Sequence, residues 1–445
     1  MASVEGFPYF EIEFSKDGSI VDARQIEQIE TFLTSPAGGG TTDVLVFSHG
    51  WDNDEAEARD LYARFLANIR SETSKNSVAD PKKRKLAFVG VMWPSKKFAD
   101  AALIPGGAAG INDGNVRSAL ELQHKQLADG LPSGDAEKID EAANLINQLE
   151  TADGRAKWVA RLREAAKGQS DEPDGSNLFF SLSAEELFEK MKDPVLPPPP
   201  PAGAGGGAGL NPTGSSGIAA GTGGAAGFGA LIGGIKGAAL RILNYTTYYI
   251  MKNRAGEVGH SGLKSALQQI QAACPPEMRF HLLGHSFGAR AVTAATSGTP
   301  RLKVQTLTLL QAAYSHYGMA TNYDGKGHDG MFRDIIAEQR VAGPILISHS
   351  VHDLPVGIAY AIASRLAGQI AAAFGGPADP YGGLGRNGAQ KTDRSQFLTL
   401  LPSGANYSFQ SHVANNLNGD GVIQGHSDIC RPEIARAFLS AVAVA

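Results

Sequence analysis

Gly284-His285-Ser286-Phe287-Gly288 follows the apolar run Phe280-His281-Leu282-Leu283 and precedes a helix-forming stretch, Ala289-Arg290-Ala291-Val292-Thr293-Ala294-Ala295. A G-x-S-x-G pentapeptide between a strand and a helix makes a sharp turn that presents the serine oxygen to substrate. That turn strains the serine backbone, and glycines two residues to either side remove the side chains that would clash there. In a chain with 54 glycines the pentapeptide alone carries little weight. The strand before it and the helix after it make Ser286 a candidate nucleophile.

A serine at neutral pH needs a base, a carboxylate to orient that base, and donors for the developing oxyanion. Downstream, Gly425-His426-Ser427-Asp428 directly precedes a terminal helix that opens at Pro432. His426 is thus the expected base, ahead of its rival His412, which lacks that position. Between nucleophile and base, Ile345-Leu346-Ile347-Ser348 leads to His349, His352 and Asp353-Leu354-Pro355. A carboxylate just past a buried strand can hold the imidazole, so Asp353 is preferred to Asp324, Asp329 and Asp334, which follow the preceding strand. Upstream, the buried run Val44–Phe47 ends in Ser48-His49-Gly50-Trp51. A His-Gly turn there exposes the next backbone N–H, that of Trp51, which with the N–H of Phe287 makes a candidate oxyanion hole. His49, Gly50, His285 and Trp93 are expected to line the substrate pocket, and His281, inside its strand, to be a core residue.

Around these motifs short apolar runs alternate with helical patterns. Strands are expected at Phe7–Phe14, Asp43–Ser48, in the run ending at Trp93, and at Arg279–Leu283, Val304–Leu310 and Pro344–Ser348. Helices are expected at Ala23–Leu33, at Asp54–Ile69 (Leu61, Phe65 and Ile69 on one face), after Ser286, and at Pro432–Ala443. This alternation argues for a mostly parallel sheet covered on both faces. Residues 96–240 are not needed by it. They hold a charged helical region, Asp135–Lys167, then the run Pro197–Pro201 and a glycine- and alanine-dominated stretch to about Gly237. We read 96–240 as a lid or cap insertion with a Pro/Gly-rich linker, dividing a core of 1–95 and 241–445. The segment 202–238, uncharged up to Lys236, is a candidate for peripheral membrane contact, but it is too poor in large apolar side chains to span a bilayer. Asn416-x-Asn418-x-Asp420-Gly421 mimics the start of a calcium loop, yet Ser427 stands where the bidentate Glu belongs, so a turn-forming loop is expected and no metal.

At 445 residues and 42% hydrophobic the chain can bury a full core, and its net charge of -5 offers no bulk attraction to nucleic acid. Two distant cysteines make neither a disulfide framework nor a metal cluster. The amino terminus has no secretory pattern, so a cytoplasmic location is the default, with signal-independent export as the other route.

Ser48-His49-Gly50-Trp51, Gly284-His285-Ser286-Phe287-Gly288, Asp353 and His426 together resemble the α/β-hydrolase superfamily. Within it the chain looks most like little-characterised bacterial serine esterase-like proteins, which carry a segment comparable to Arg254-Ala255-Gly256-Glu257-Val258-Gly259 before the elbow. The resemblance covers about 1–95 and 240–445 and implies an α/β-hydrolase fold, with a serine that attacks an acyl carbon and water that resolves the acyl-enzyme. It implies a small-molecule or lipid ester as substrate and no cofactor. Trp51 departs from the small glycine often found after His-Gly, so the resemblance does not extend to bulky acyl or tertiary substrates. A thioester or amide would suit the same triad. A reading of another class is a non-catalytic scaffold whose glycine-rich arm contacts a membrane or partner, which would need none of the triad side chains.

Overall fold

Short extended runs, most of them rich in β-branched and apolar residues, become the strands of one sheet. These are β1 (Ala2–Val4), β2 (Phe7–Glu13), β3 (Asp43–Ser48), β4 (Leu86–Met92), β5 (Arg279–His285), β6 (Thr306–Leu310), β7 (Ile345–His349), β8 (Ser395–Thr399) and β9 (Ala414–Asn418). This computed structural model describes residues 2–36, 38, 40–51, 53–75, 84–95, 113–167, 174–193, 234–368 and 376–445. Among them the sheet has nine strands in the order β1-β2-β4-β3-β5-β6-β7-β9-β8. Only the β1–β2 pair is antiparallel. The chain is therefore α/β, with a mostly parallel sheet.

Strand side chains alternate between faces, and each face has its own core. Val44, Val46, Leu282, Leu307, Leu309, Ile345 and Ile347 pack on one side, under helices Arg24–Thr34, Lys264–Ala273 and Phe287–Thr296. Leu45, Phe47, Leu283, Leu310 and Leu346 face the other way, under helices Glu55–Ser74 and Pro432–Val444. The helix expected at Asp54–Ile69 spans Glu55–Ser74, with Asp54 and Glu57 forming a reciprocal capping box at its start.

A third core is wholly helical. Leu120, Leu127, Trp158, Leu162, Phe179 and Leu187 close around Leu240, Leu243 and Tyr249. These last three lie on the long helix Gly234–Glu257, whose later residues Met251 and Ala255 join the sheet-side core. The helix thus runs across the boundary expected at 240/241 and belongs to both bodies of packing. The proline run, most of the glycine-rich stretch and nearly all of the candidate membrane-contact segment lie outside the described residues. Among the described residues no helix is long and apolar enough to cross a membrane.

Two expectations need correction. The strand expected from Val304 begins at Thr306, with Val304 making only an isolated bridge to Val341. Asn416–Asn418, read as a loop, is the end of β9, sandwiched between β7 and β8. Asparagine is depleted in strands because its amide competes for backbone partners. Here that competition is absorbed: Asn416 accepts from Ala389 N (2.7 Å) and donates to Gln396 O (3.2 Å), and Asn415 donates to Ile345 O (3.1 Å). Asp420 likewise accepts from Val351 N (2.8 Å), tying the following turn to the end of β7.

Candidate active site

Parallel strands end on a common edge, and loops leaving neighbouring strands in opposite directions open a crevice there. That reversal occurs between β3, whose other neighbour is β4, and β5, which continues to β6 and β7. Ser286 follows β5 at this point, with φ 57° and ψ -122°, a left-handed conformation costly for a side chain. The glycines around it are obligatory. A Cβ on Gly284 would lie 2.4 Å from Ala289 Cα, and one on Gly288 would lie 2.1 Å from Ser48 O. The elbow is also held on both sides of the serine, by Ser286 N donating to Leu310 O (3.0 Å) and Ala313 N donating to Ser286 O (3.2 Å).

His426 Nε2 is 2.8 Å from Ser286 Oγ, and His426 Nδ1 is 3.0 Å from each carboxylate oxygen of Asp353. Asp353 is fully buried, whereas the His426 side chain is 13% exposed, so the imidazole can be reached from solvent while the carboxylate cannot. Asp353 also caps helix Leu354–Leu366, accepting from Val356 N at 3.2 Å. The rival carboxylates are engaged elsewhere: Asp334 with Ser297 and Arg340, Asp324 with His328, and Asp329 with Asn322 N. His412 bonds Val341 O.

The loop after β3 lies against the elbow, since a Cβ on Gly50 would sit 2.7 Å from Ser286 Cβ. Gly50 O is surrounded by donors: Ser95 Oγ (2.9 Å), His49 Nδ1 (2.9 Å) and Asn53 Nδ2 (3.2 Å). A trans peptide carries its N–H opposite its C=O, so the Trp51 N–H faces away from that cluster. Phe287, the first residue of its helix, has an N–H with no partner inside the helix. The peptide that carries the Trp51 N–H thus lies against Ser286, and Phe287 directly follows the serine in the chain. Trp51, Phe287 and Tyr248 form an aromatic group with ring centroids 5.0 to 6.3 Å apart. Tyr248, from the long helix, was invisible in the sequence because its partners are distant in the chain.

The remaining expected pocket residues act as supports. His49 N donates to the Tyr62 hydroxyl (3.0 Å), which itself donates to Val91 O (2.7 Å). The Trp93 indole N–H donates to His49 O (3.1 Å), and its ring stacks on His49 at 5.5 Å. His285 Nε2 is 2.9 Å from the backbone oxygen of His426 and donates to it, which holds the loop carrying the base. Burial, then the charge of a protonated His426, pushes His285 down to about 3. Burial pushes His49 down to about 4. Both rings are neutral at neutral pH.

The Arg254–Gly259 segment has a mechanical role. Arg254 donates to Pro94 O (2.9 Å) and Gly130 O (2.6 Å), tying the loop after β4 to the helical body. Gly259 lies so close to the elbow helix that a Cβ would come within 2.1 Å of Ala291 O. Among the described residues no His, Cys, Asp and Glu are grouped as a metal site. Comparison of the chain with family models, with curated proteins and with solved structures finds no match in any of the three.

Proposed function

We propose that this chain is a serine hydrolase of the α/β-hydrolase kind that cleaves carboxylic esters. The observation that carries the reading is the unbroken hydrogen-bonded series Ser286 Oγ, His426 Nε2, His426 Nδ1 and Asp353, built on a serine in strained left-handed backbone. The chain order serine, acid, histidine supports it, as does a donor loop that follows β3. A purely structural role explains neither the strain at Ser286 nor a base with one solvent-reachable face.

In this mechanism Ser286 Oγ attacks the acyl carbon as His426 Nε2 takes its proton. The carbonyl electron pair moves to oxygen, where the N–H groups of Trp51 and Phe287 receive the charge. Asp353 stays ionised, fixes the imidazole and stabilises it while protonated. Collapse breaks the bond to the alcohol oxygen, which leaves with the proton from His426. Water then gives a proton to His426 and attacks the acyl-enzyme, releasing acid and Ser286. Trp51, Phe287 and Tyr248 give the site an apolar wall suited to an uncharged acyl chain. Thioesters can react by the same steps and belong in the substrate panel.

A fluorophosphonate probe tests the reading. Stoichiometric labelling at Ser286 is expected, lost in Ser286→Ala and suppressed by short acyl esters. A folded protein that takes no label at any pH would sink it in favour of a non-catalytic scaffold.

A further inference from the structure

Gln311 has a strained backbone, is wholly buried and is bonded to Asp353. Gln311 follows β6 with φ 44°, a conformation that costs a non-glycine residue free energy and persists only where surroundings enforce it. Its Nε2 donates to Asp353 Oδ2 (3.1 Å) and to Gly385 O (3.0 Å). Its Oε1 accepts from Ser348 Oγ (2.9 Å), while its own backbone N–H donates to the same Ser348 oxygen (3.1 Å).

This arrangement permits one orientation of the amide. Both Nε2 hydrogens are used, and a flipped amide would set Oε1 against the Asp353 carboxylate and the Gly385 carbonyl, two acceptors. Ser348, donating to one end of Gln311 and accepting from the other, closes a ring that locks the side chain. The flanking backbone reaches the nucleophile: Leu310 O accepts from Ser286 N, and Ala313 N donates to Ser286 O. A single four-residue segment therefore grips the serine by its main chain and the acid by the side chain of Gln311. The left-handed turn at 311 directs that side chain to Asp353.

Accepting the triad proposed above, we infer that Gln311 is a positioning residue that sets the carboxylate plane of Asp353 relative to Ser286. A neutral donor suits the task. It fixes the carboxylate without a full positive charge that would compete with the imidazolium of His426. Arg386, whose charge also reaches Asp353, gives one hydrogen bond to Val351 O.

Gln311→Asn separates backbone from side chain. Asparagine favours left-handed backbone, so the turn is preserved, but its amide is one methylene too short to reach Asp353. Two readouts are taken: the second-order rate of fluorophosphonate labelling at Ser286, and the downfield NMR resonance of the proton between His426 Nδ1 and Asp353. Labelling is expected to slow about 10- to 100-fold, with the resonance shifted or lost and the native fold kept at a thermal midpoint lowered by the buried hydrogen bonds given up. Should the Asn variant fold poorly, Ser348→Ala, which removes only the hydroxyl that orients the amide, is expected to slow labelling about 3- to 10-fold. Folded variants that label within about twofold of wild type and keep the resonance overturn the inference. Wild-type protein that takes no label but shows a resonance lost in Gln311→Asn refutes the hydrolase reading and leaves this positioning role standing.

Discussion

Two hydroxyl–imidazole–carboxylate series hang from the same sheet, one at each end of β5. At the carboxyl end stand Ser286, His426 and Asp353. At the amino end His281 Nδ1 meets Thr306 Oγ1 (2.9 Å) and His281 Nε2 meets Asp43 Oδ1 (2.9 Å). The hydrogen bonding is nearly the same, but the inner set is sealed, each residue 0% exposed. Burial lowers the affinity of His281 for a proton, outweighing its bond to Asp43. Burial alone would push Asp43 up, but hydrogen bonds from His281 and Thr42 and the charge of Arg84 outweigh it and keep it ionised. A guanidinium 2.7 Å from Asp43 also absorbs the charge that would stabilise an imidazolium. Thr306 lies in regular strand, whereas Ser286 is raised on a strained turn. The two series thus share connectivity and differ in presentation and access.

The comparison can be broken most decisively at the nucleophile. Ser286→Ala or His426→Ala should each remove about 10⁶ of the turnover number with the fold intact, measured on soluble esters against unfolding midpoint. Asp353→Ala is expected to be milder, about 10⁴, because the aspartate orients and stabilises without reacting.

Asp43→Ala should do the reverse. Leaving Arg84 and His281 without their carboxylate is expected to destabilise the fold by about 3–5 kcal/mol while turnover per folded molecule is maintained. Denaturant titration and active-site titration together separate the two effects. A larger loss of turnover for Asp43→Ala than for Asp353→Ala would dissolve the distinction drawn here.

Acid should find the sealed histidines first. Burial lowers His281, takes His49 to about 4 and takes His285 to about 3. Their folded values lie below the unfolded value near 6.5, so the unfolded chain binds more protons within that window. Stability is then fully present above about pH 6.5 and is lost toward pH 4, by about 1.4 kcal/mol per pH unit for each excluded proton. Asp43, also lowered, adds its loss at still lower pH. Urea midpoints measured from pH 8 to 4 check this, and a flat profile would contradict the buried neutral state.

The smallest effect is expected at the mirror of the nucleophile. Thr306→Val keeps shape and removes the hydroxyl on His281, costing about 1 kcal/mol of stability with no change in turnover. Any loss of activity beyond about twofold would mean that the inner series communicates with the outer one.

Much of the outer series was legible before any coordinates. Glycine spacing at 284 and 288 is a local steric requirement, and the flanking strand and helix patterns are local as well, so the elbow could be read directly. Asp353 and His426 were recognisable from their places after a strand and before the last helix. Gln311 and Ser348 were not, because a glutamine after an apolar run carries no signal until the segment across from it is known. The same holds for Tyr248, and for the role of His285, read as a pocket residue but engaged with the backbone of His426. β9 was hidden because its asparagines satisfy their amides through long-range partners that no local pattern records.

The sequence by itself determined the alternation of strands and helices, the elbow and the order of its partners, since each depends on spacing within a few residues. Tertiary structure alone decided which histidine–aspartate pair is sealed and which is reachable, and how Gln311 joins Asp353 to the Ser286 segment. Those outcomes depend on burial and on hydrogen-bond geometry between segments 40 to 240 positions apart in the chain. Desolvation and orientation of this kind arise only when the strands are brought side by side.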